Sequence, residues 1–496
     1  MDDLTRTRSD PTRREVLRRA GGLLAGTALP VGIRADHGQS DQRRTAASGA
    51  VTEVVARYMA AARDRELPPE VDREAKHRIL DSLAAMISGS RLKPGELAIR
   101  YARTQGGVPE ASIVATSLRT SAVTAALVNG MFAHADETDD FEPFTKAHPG
   151  CAVVPAALAV AERHDRSGLE LLRSVTLGYD LCCRWLMALG PAHVRATHRS
   201  AEGVSATFGA AAAAASVAHL DERGMAYALS YAAQQVSGVW SWERDLEHVE
   251  KAFDIAGMGA RNGVTAALMV QAGFTGVADV LDGEHNALEA HSTEPRPREL
   301  VEGLGSRFFI TETAIKTYSI GYPVQAALDA FLSLHREHAL TTAKVERIVV
   351  RLPADGAAIV NDRPMPDINC QYLIAVALVD GGLTFDASHS YERMKDPQVL
   401  AVKRRVELVA DQDLVDPKAP RSGQVEVVLQ DGRRVSHFTK FPPGTKERPL
   451  DTAGVNAKAR GLIAPVVGAE RAETIIRRVN DLEHVKSVRE LARLLA

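Results

Sequence analysis

The chain has 496 residues, 45% of them apolar, and its 60 basic side chains nearly balance 63 acidic ones to leave a formal net charge of −3. Such a length holds two or three domains with ordinary buried cores. The charge balance excludes the counterion-release signature of a nucleic-acid binder and a polybasic membrane surface, which leaves a small molecule as the expected ligand.

The first predicted element is a targeting segment. In "TRREVLRRAGGLLAGTALPVGIRA", Arg13 and Arg14 precede a short, weakly apolar stretch interrupted by Gly26 and Pro30. It is too short to span a bilayer as a helix and is similar to a twin-arginine export signal; the alternative is a basic amphipathic start to a cytoplasmic protein. "DHGQSDQRRTAASG" then reads as a disordered linker, so residues 1–50 stand apart from the fold. The expected product is exported to the periplasm, and no later stretch has the apolar length of a membrane span.

Over residues 51–297 the 3.6-residue period dominates. In "EVDREAKHRILDSLAAMISGS", Ala75, Ile79, Leu83, Met86 and Ile87 share one face, with Pro68 and Pro69 ahead of the helix and Gly89 behind it. Further helices are predicted over 120–135, 151–164, 168–187, 205–218, 223–237 and 260–272. Runs such as "TFGAAAAAASVAHL" let helix backbones approach closely. Over residues 298–448 strands alternate with helices. Ile348, Val350 and Leu352 in "KVERIVVRLP" share a face at period two, and "QVEVVLQDGRRVSHF" is a hairpin turning at Asp431 and Gly432. Helices are expected at 323–334 and 370–379, with a strand at 405–410. Residues 449–496 return to the helical period and are expected to pack back on the first domain. The fold class is mainly α: an all-helical domain from the N-terminal half and the C-terminal helices, with an inserted smaller α+β domain.

Cys151, Cys182, Cys183 and Cys370 form no CxxC pair and no zinc-like spacing, and read as small core residues. Five other places carry chemistry. "ETDDFEPFTKAHPG" concentrates Glu137, Asp139, Asp140, Lys146 and His148 beside Phe141 in an alanine-rich context. Pro149 and Gly150 put His148 at a helix N-terminus, where the dipole favours a neutral ring able to accept a proton; the competing reading is a solvated acidic loop with a capping residue. The second place is His198 ahead of the alanine helix. The third is "EKAFDIAGMGARNG", with Lys251 and Arg261 around Gly257 and Gly259, where a backbone can approach a ligand. The others are Lys316 and Tyr318 in "AIKTYSIGYPVQAALDA" and Tyr372 in "NCQYLIAVALVDGG". "GMGARNG" follows no predicted strand, which disfavours a dinucleotide site, and there is no P-loop, GxSxG or HExxH. A metal held by His134, Asp136, Asp139 and Asp140 stays open on residue types.

Taken in order, these segments resemble the MmgE/PrpD family, which includes 2-methylcitrate dehydratase, cis-aconitate decarboxylase and iminodisuccinate epimerase. The resemblance rests on "NGMFAHADETDDFEPFTKAHPGCAVVPAALAVAE", "TFGAAAAAA", "KAFDIAGMGARNGVTAALMVQAGFTGVADVLDG", "IKTYSIGYPVQAALDA" and "QYLIAVALVDGG". It implies a helical domain with an inserted α+β lid, a homodimer, and a metal-independent lyase needing no cofactor. The implied substrate is a small carboxylate or polycarboxylate, dehydrated or decarboxylated by proton transfer beside a carboxyl group. The implied catalytic set is His148, His198, Lys251, Lys316 and Tyr372, with Glu137, Asp139, Asp140, Phe141, Arg261 and Tyr318 binding substrate. Glu137 stands where the family often has Asp, Phe141 where Thr is common, and "KTYSIGYP" lacks the Cys and His that commonly follow, so a changed substrate is expected. The alternatives are an epimerase-like isomerase, a metal-dependent lyase or hydrolase using Asp139, Asp140 and His134, and a non-catalytic carboxylate-binding protein.

Overall fold

Helices α1 (Val51–Ala62) and α2 (Pro69–Gly89) open the computed structural model, which describes residues 51–496. The twin-arginine-type segment and its linker lie outside the described residues. Pro69 occupies the first turn of α2, where a missing N–H costs nothing, and Ala75, Ile79, Leu83, Met86 and Ile87 are all buried. There follow α3 (Ala122–His134), α4 (Pro149–His164), α5 (Gly168–Leu189), α6 (Ala201–Val217) and α7 (Met258–Gln271). Ser121 caps α3, and Ser167 with Glu170 forms a capping box on α5.

Every residue of α6 is buried, because its small side chains let α5 and α7 approach its backbone. A Cβ at Gly263 would lie 2.5 Å from the Ala210 backbone, so Gly263→Ala would overpack this crossing at a cost of about 1–3 kcal/mol.

A second hydrophobic core forms around α8 (Gln325–His338), β1 (Val345–Pro353), α9 (Cys370–Asp380), β2 (Val406–Asp411), β3 (Gly423–Leu429) and β4 (Arg434–Thr439). The sheet order is β2-β1-β3-β4. β1 and β2 are parallel with Ile348 opposite Val406, while β1 and β3 are antiparallel with Val350 opposite Val425. The β3–β4 hairpin turns at Gly432, whose φ of 87° suits a residue without a Cβ.

The chain then returns to the first core through α10 (Thr452–Val467), α11 (Ala469–Asn480) and a last helix, Val488–Leu495. All four cysteines are buried and unbridged. Among the described residues no helix is long and apolar enough to cross a membrane.

Candidate active site

The loop between α3 and α4 divides its acids into two sets. Asp136, Asp140 and Glu142 hold the loop in shape. Asp136 accepts the Ser88 hydroxyl and the Thr138 N–H (3.0 Å); Asp140 accepts the Gly150 N–H (2.9 Å); Glu142 accepts the Phe144 and Thr145 N–H groups. Gly150 is what lets Asp140 come so near, since a Cβ there would stand 2.8 Å from its Oδ1. Burial raises all three carboxyls above their usual range, Asp136 and Asp140 to about 6. Phe141 fixes the loop to the chain before Lys316 by exchanging backbone hydrogen bonds with Ala314 (3.0 and 2.7 Å).

Glu137 and Asp139 form the other set, which sits among cations and imidazoles. Asp139 is fully buried, which alone would raise its pKa, but His134, Lys316 and His148 outweigh burial and hold it well below the carboxylate range. It is therefore ionised. His148, the N-cap residue of α4, and His134, the last residue of α3, each present Nδ1 to the same Asp139 Oδ2, at 2.9 and 3.0 Å. An ionised acceptor fixes the proton on each Nδ1 and leaves Nε2 of His148 as the lone-pair nitrogen. Burial keeps His134 neutral by pushing its pKa well below the imidazole value.

Lys316 Nζ donates to Glu137 Oε2 (3.1 Å) and Asp139 Oδ1 (3.2 Å), and Lys251 Nζ donates to Glu137 Oε1. Lys251 lies two residues before a π-helical segment, Phe253–Gly257, that leads into α7. Burial draws the Lys251 ammonium down to about 7; Asp367 opposes this, while Lys316 and Arg363 add to it. The direct Glu137 contact also favours the charged form.

His248 is the site residue that sequence reading missed. It is buried, with a left-handed φ of 63°, and its Nε2 faces Glu137 Oε1 at 3.6 Å while its Nδ1 meets Asp367 Oδ2 at 3.1 Å. Burial alone would raise Asp367, yet His248, His389 and Lys251 hold it below its usual range. The signal was the spacing His248-x-x-Lys251 at a helix start, which puts both side chains on one side.

Other predicted residues do not join this cluster. His198 is exposed in the turn before α6 and has a φ of 59°. Tyr372 is buried in the second core and its hydroxyl donates to Ala387 O. Arg261 turns to its neighbour Asn262 (3.1 and 3.0 Å) and lies over Phe253. Tyr318 lines a separate cavity with Ser319, Phe385 and Lys458. Asp140 faces α4 and Tyr179, behind the centre. The expected shared site therefore narrows to Glu137, Asp139, His148, Lys251 and Lys316, with Phe141 as its apolar wall.

A cavity of ≈ 50 Å³ opens on Glu137, Phe141, His148, Trp242, Lys251 and Tyr322. That volume suits a few waters, so a substrate of several carboxyl groups needs the walls to part. For a metal, one nitrogen or oxygen from each of His134, Glu137 and His248, or of His134, Asp139 and His148, lies within 4.8 Å of the others. Lys251 and Lys316 already supply cationic charge to both carboxylates, and Asp140 is outside both sets. This donor set fits a metal poorly, because an added dication would face two ammonium groups at close range.

The MmgE/PrpD N-terminal domain model matches residues 53–300, and the MmgE/PrpD C-terminal domain model matches residues 318–484. Human cis-aconitate decarboxylase is 26% identical over 468 residues, covering 90% of this chain and 94% of that protein. The cis-aconitate decarboxylase-like protein oryM of Aspergillus oryzae is 24% identical over 478 residues, 90% of this chain and 98% of its own. Cis-aconitate decarboxylase of Aspergillus terreus is 23% identical over 481 residues, with 90% and 96% covered.

Proposed function

The chain belongs to the MmgE/PrpD family, and from that premise we propose that it is a lyase that decarboxylates an unsaturated tricarboxylate of the cis-aconitate kind. The observation that carries the proposal is the ionised Asp139 holding Nδ1–H of His148 at the wall of a cavity shared with Lys251. The relatives' names favour decarboxylation over the dehydration that the same histidine could begin as a base.

In such a reaction the bond to the departing carboxylate breaks, and its electron pair becomes a new C=C. The old double bond's pair moves to the carbon beside a remaining carboxylate, as an enediolate. His148 takes a proton from solvent onto its free Nε2 and, as the imidazolium that Asp139 stabilises, delivers it to that carbon. Lys251 offers its ammonium to the enediolate, and Lys316 keeps Glu137 and Asp139 in register. His248, oriented by Asp367, stands with its Nε2 3.6 Å from Glu137 Oε1.

The second core acts as a lid in this proposal: its segment brings Asp367, Tyr322 and Arg421 against the first core, and its withdrawal would admit substrate. Export through the Arg13–Arg14 signal and a homodimer complete the reading. A reporter fused to the leader and the mass in solution test these two points; a cytoplasmic reporter or a 53.4 kDa monomer would remove them. The activity itself is tested by CO₂ release from cis-aconitate. Wild type should release it and His148→Ala should lose about 10³-fold in rate; equal rates would remove His148 from the mechanism.

A further inference from the structure

Carboxylates already crowd the inner end of the cavity. Glu137 and Asp139 neutralise Lys251 and Lys316 there, so this end offers a polycarboxylate no surplus positive charge. Two further cations stand at the cavity, each with a carboxylate of its own: Asp355 beside Arg421, and Glu202, itself in the cavity wall, beside Arg195. Arg195 and Arg421 line the same cavity as His148 and Lys251. Arg421 is 4% exposed; its Nη1 donates to Asp355 (2.8 Å) and Pro420 O (2.8 Å), and its Nε is buried without an acceptor among the described residues. Arg195 lies over the Trp240 ring, 4.7 Å from its centroid. Its nearest carboxylate, Glu202, is 3.9 Å away, and its Nε too is buried without an acceptor among the described residues.

A buried guanidinium N–H without a partner is costly, and two beside one cavity mark a place for an anion. The arginines come from different parts of the fold, Arg195 from the short helix Pro191–Ala196 of the first core and Arg421 from the turn before β3 of the second. Phe141 and Tyr322, with ring centroids 4.3 Å apart, lie in the same cavity wall and give it an apolar face. Arg421 and Tyr322 also line a neighbouring cavity of ≈ 190 Å³, where Lys418, Lys440 and Lys446 stand beside Glu142, Glu312 and Glu447.

We propose that Arg195 and Arg421 form a carboxylate subsite, separate from the proton-transfer end, that holds the remote carboxylate of a substrate bearing two or more. It selects polycarboxylates over monocarboxylates, and it rests on the reading of the chain as a carboxylate lyase. Bidentate pairing explains the use of arginine, since a lysine offers only a point charge.

The test is calorimetric titration of tricarballylate, a saturated tricarboxylate, and of butyrate into wild type, Arg195→Gln, Arg421→Gln and Arg421→Lys. Tricarballylate affinity should fall at least tenfold in both glutamine variants, with partial retention in Arg421→Lys and no change for butyrate. Circular dichroism identifies variants that stay folded, and Arg195→Gln decides alone if Arg421→Gln does not. Folded glutamine variants that bind tricarballylate as wild type does would overturn the subsite while leaving the lyase reading intact. A wild type that neither binds tricarballylate nor turns over cis-aconitate would overturn the lyase reading and the subsite with it.

Discussion

Two sets of carboxylates share one loop and titrate in opposite directions. Asp136 and Asp140 have hydrogen-bond donors as their nearest partners, and burial lifts them to about 6. Asp139, equally buried and two residues after Glu137, faces a lysine and two histidines and stays ionised. Burial alone therefore does not mark the functional acids. What marks them is the cation each one meets, because an opposite charge within hydrogen-bond distance offsets the desolvation that would otherwise protonate it.

The sharpest way to break this division is Asp139→Asn. The amide carries no charge, so the His148 imidazolium that delivers the proton loses its counter-charge, and kcat should fall by about 10³-fold with little change in KM. Asp140→Asn should change kcat far less, and equal losses in steady-state kinetics would erase the distinction. Next in size is Glu137→Gln, which leaves Lys251 and Lys316 short of a buried counter-charge. Denaturant unfolding should show a loss of about 3–5 kcal/mol.

The pH dependence of stability separates the two sets without kinetics. Folded Asp136 and Asp140 keep their protons to about 6, against roughly 3.9 when unfolded. Between those values the folded chain binds more protons, so stability falls as pH rises through the window, by on the order of 2–3 kcal/mol for each group, and levels off above it. Asp139 has the opposite sign. Its contribution is present above roughly pH 4 and is lost as pH falls below that. Denaturant midpoints measured from pH 4 to 7 should lose part of their slope in Asp136→Asn and Asp140→Asn and keep it in Asp139→Asn. The smallest effect concerns Lys251, whose ammonium titrates at about 7. An alkaline limb near that pH in kcat/KM should move upward in Lys251→Arg, because a guanidinium stays charged; a limb that stays in place would assign it to another group.

Much of this fold was legible because its signals are local. Pro149 and Gly150 before an apolar helical run placed His148 at the start of α4, and the period-two pattern of Ile348, Val350 and Leu352 placed β1. The loop's acids were visible as a group, but their division was not, since it depends on which distant residues close on them: Ser88, Tyr179 and Gly150 on one side, Lys251 and Lys316 on the other. His198 drew attention by standing alone ahead of an alanine helix, yet its turn faces solvent. Tyr372 looked polar in an apolar helix, and a single backbone carbonyl, Ala387 O, is enough to satisfy it in the second core. His248 went unnoticed because its partner Asp367 is 119 residues away. Arg195 and Arg421 gave no local sign at all, for the same reason.

The central claim is that His148 delivers the proton to the carbon beside a carboxylate. Cis-aconitate turned over in D₂O and followed by proton NMR tests it most directly. Wild type should place one deuterium on the carbon next to the remaining carboxylate, and His148→Ala should leave that carbon unlabelled with substrate unconsumed. Full-rate turnover by His148→Ala, with deuterium at the same carbon, would contradict it.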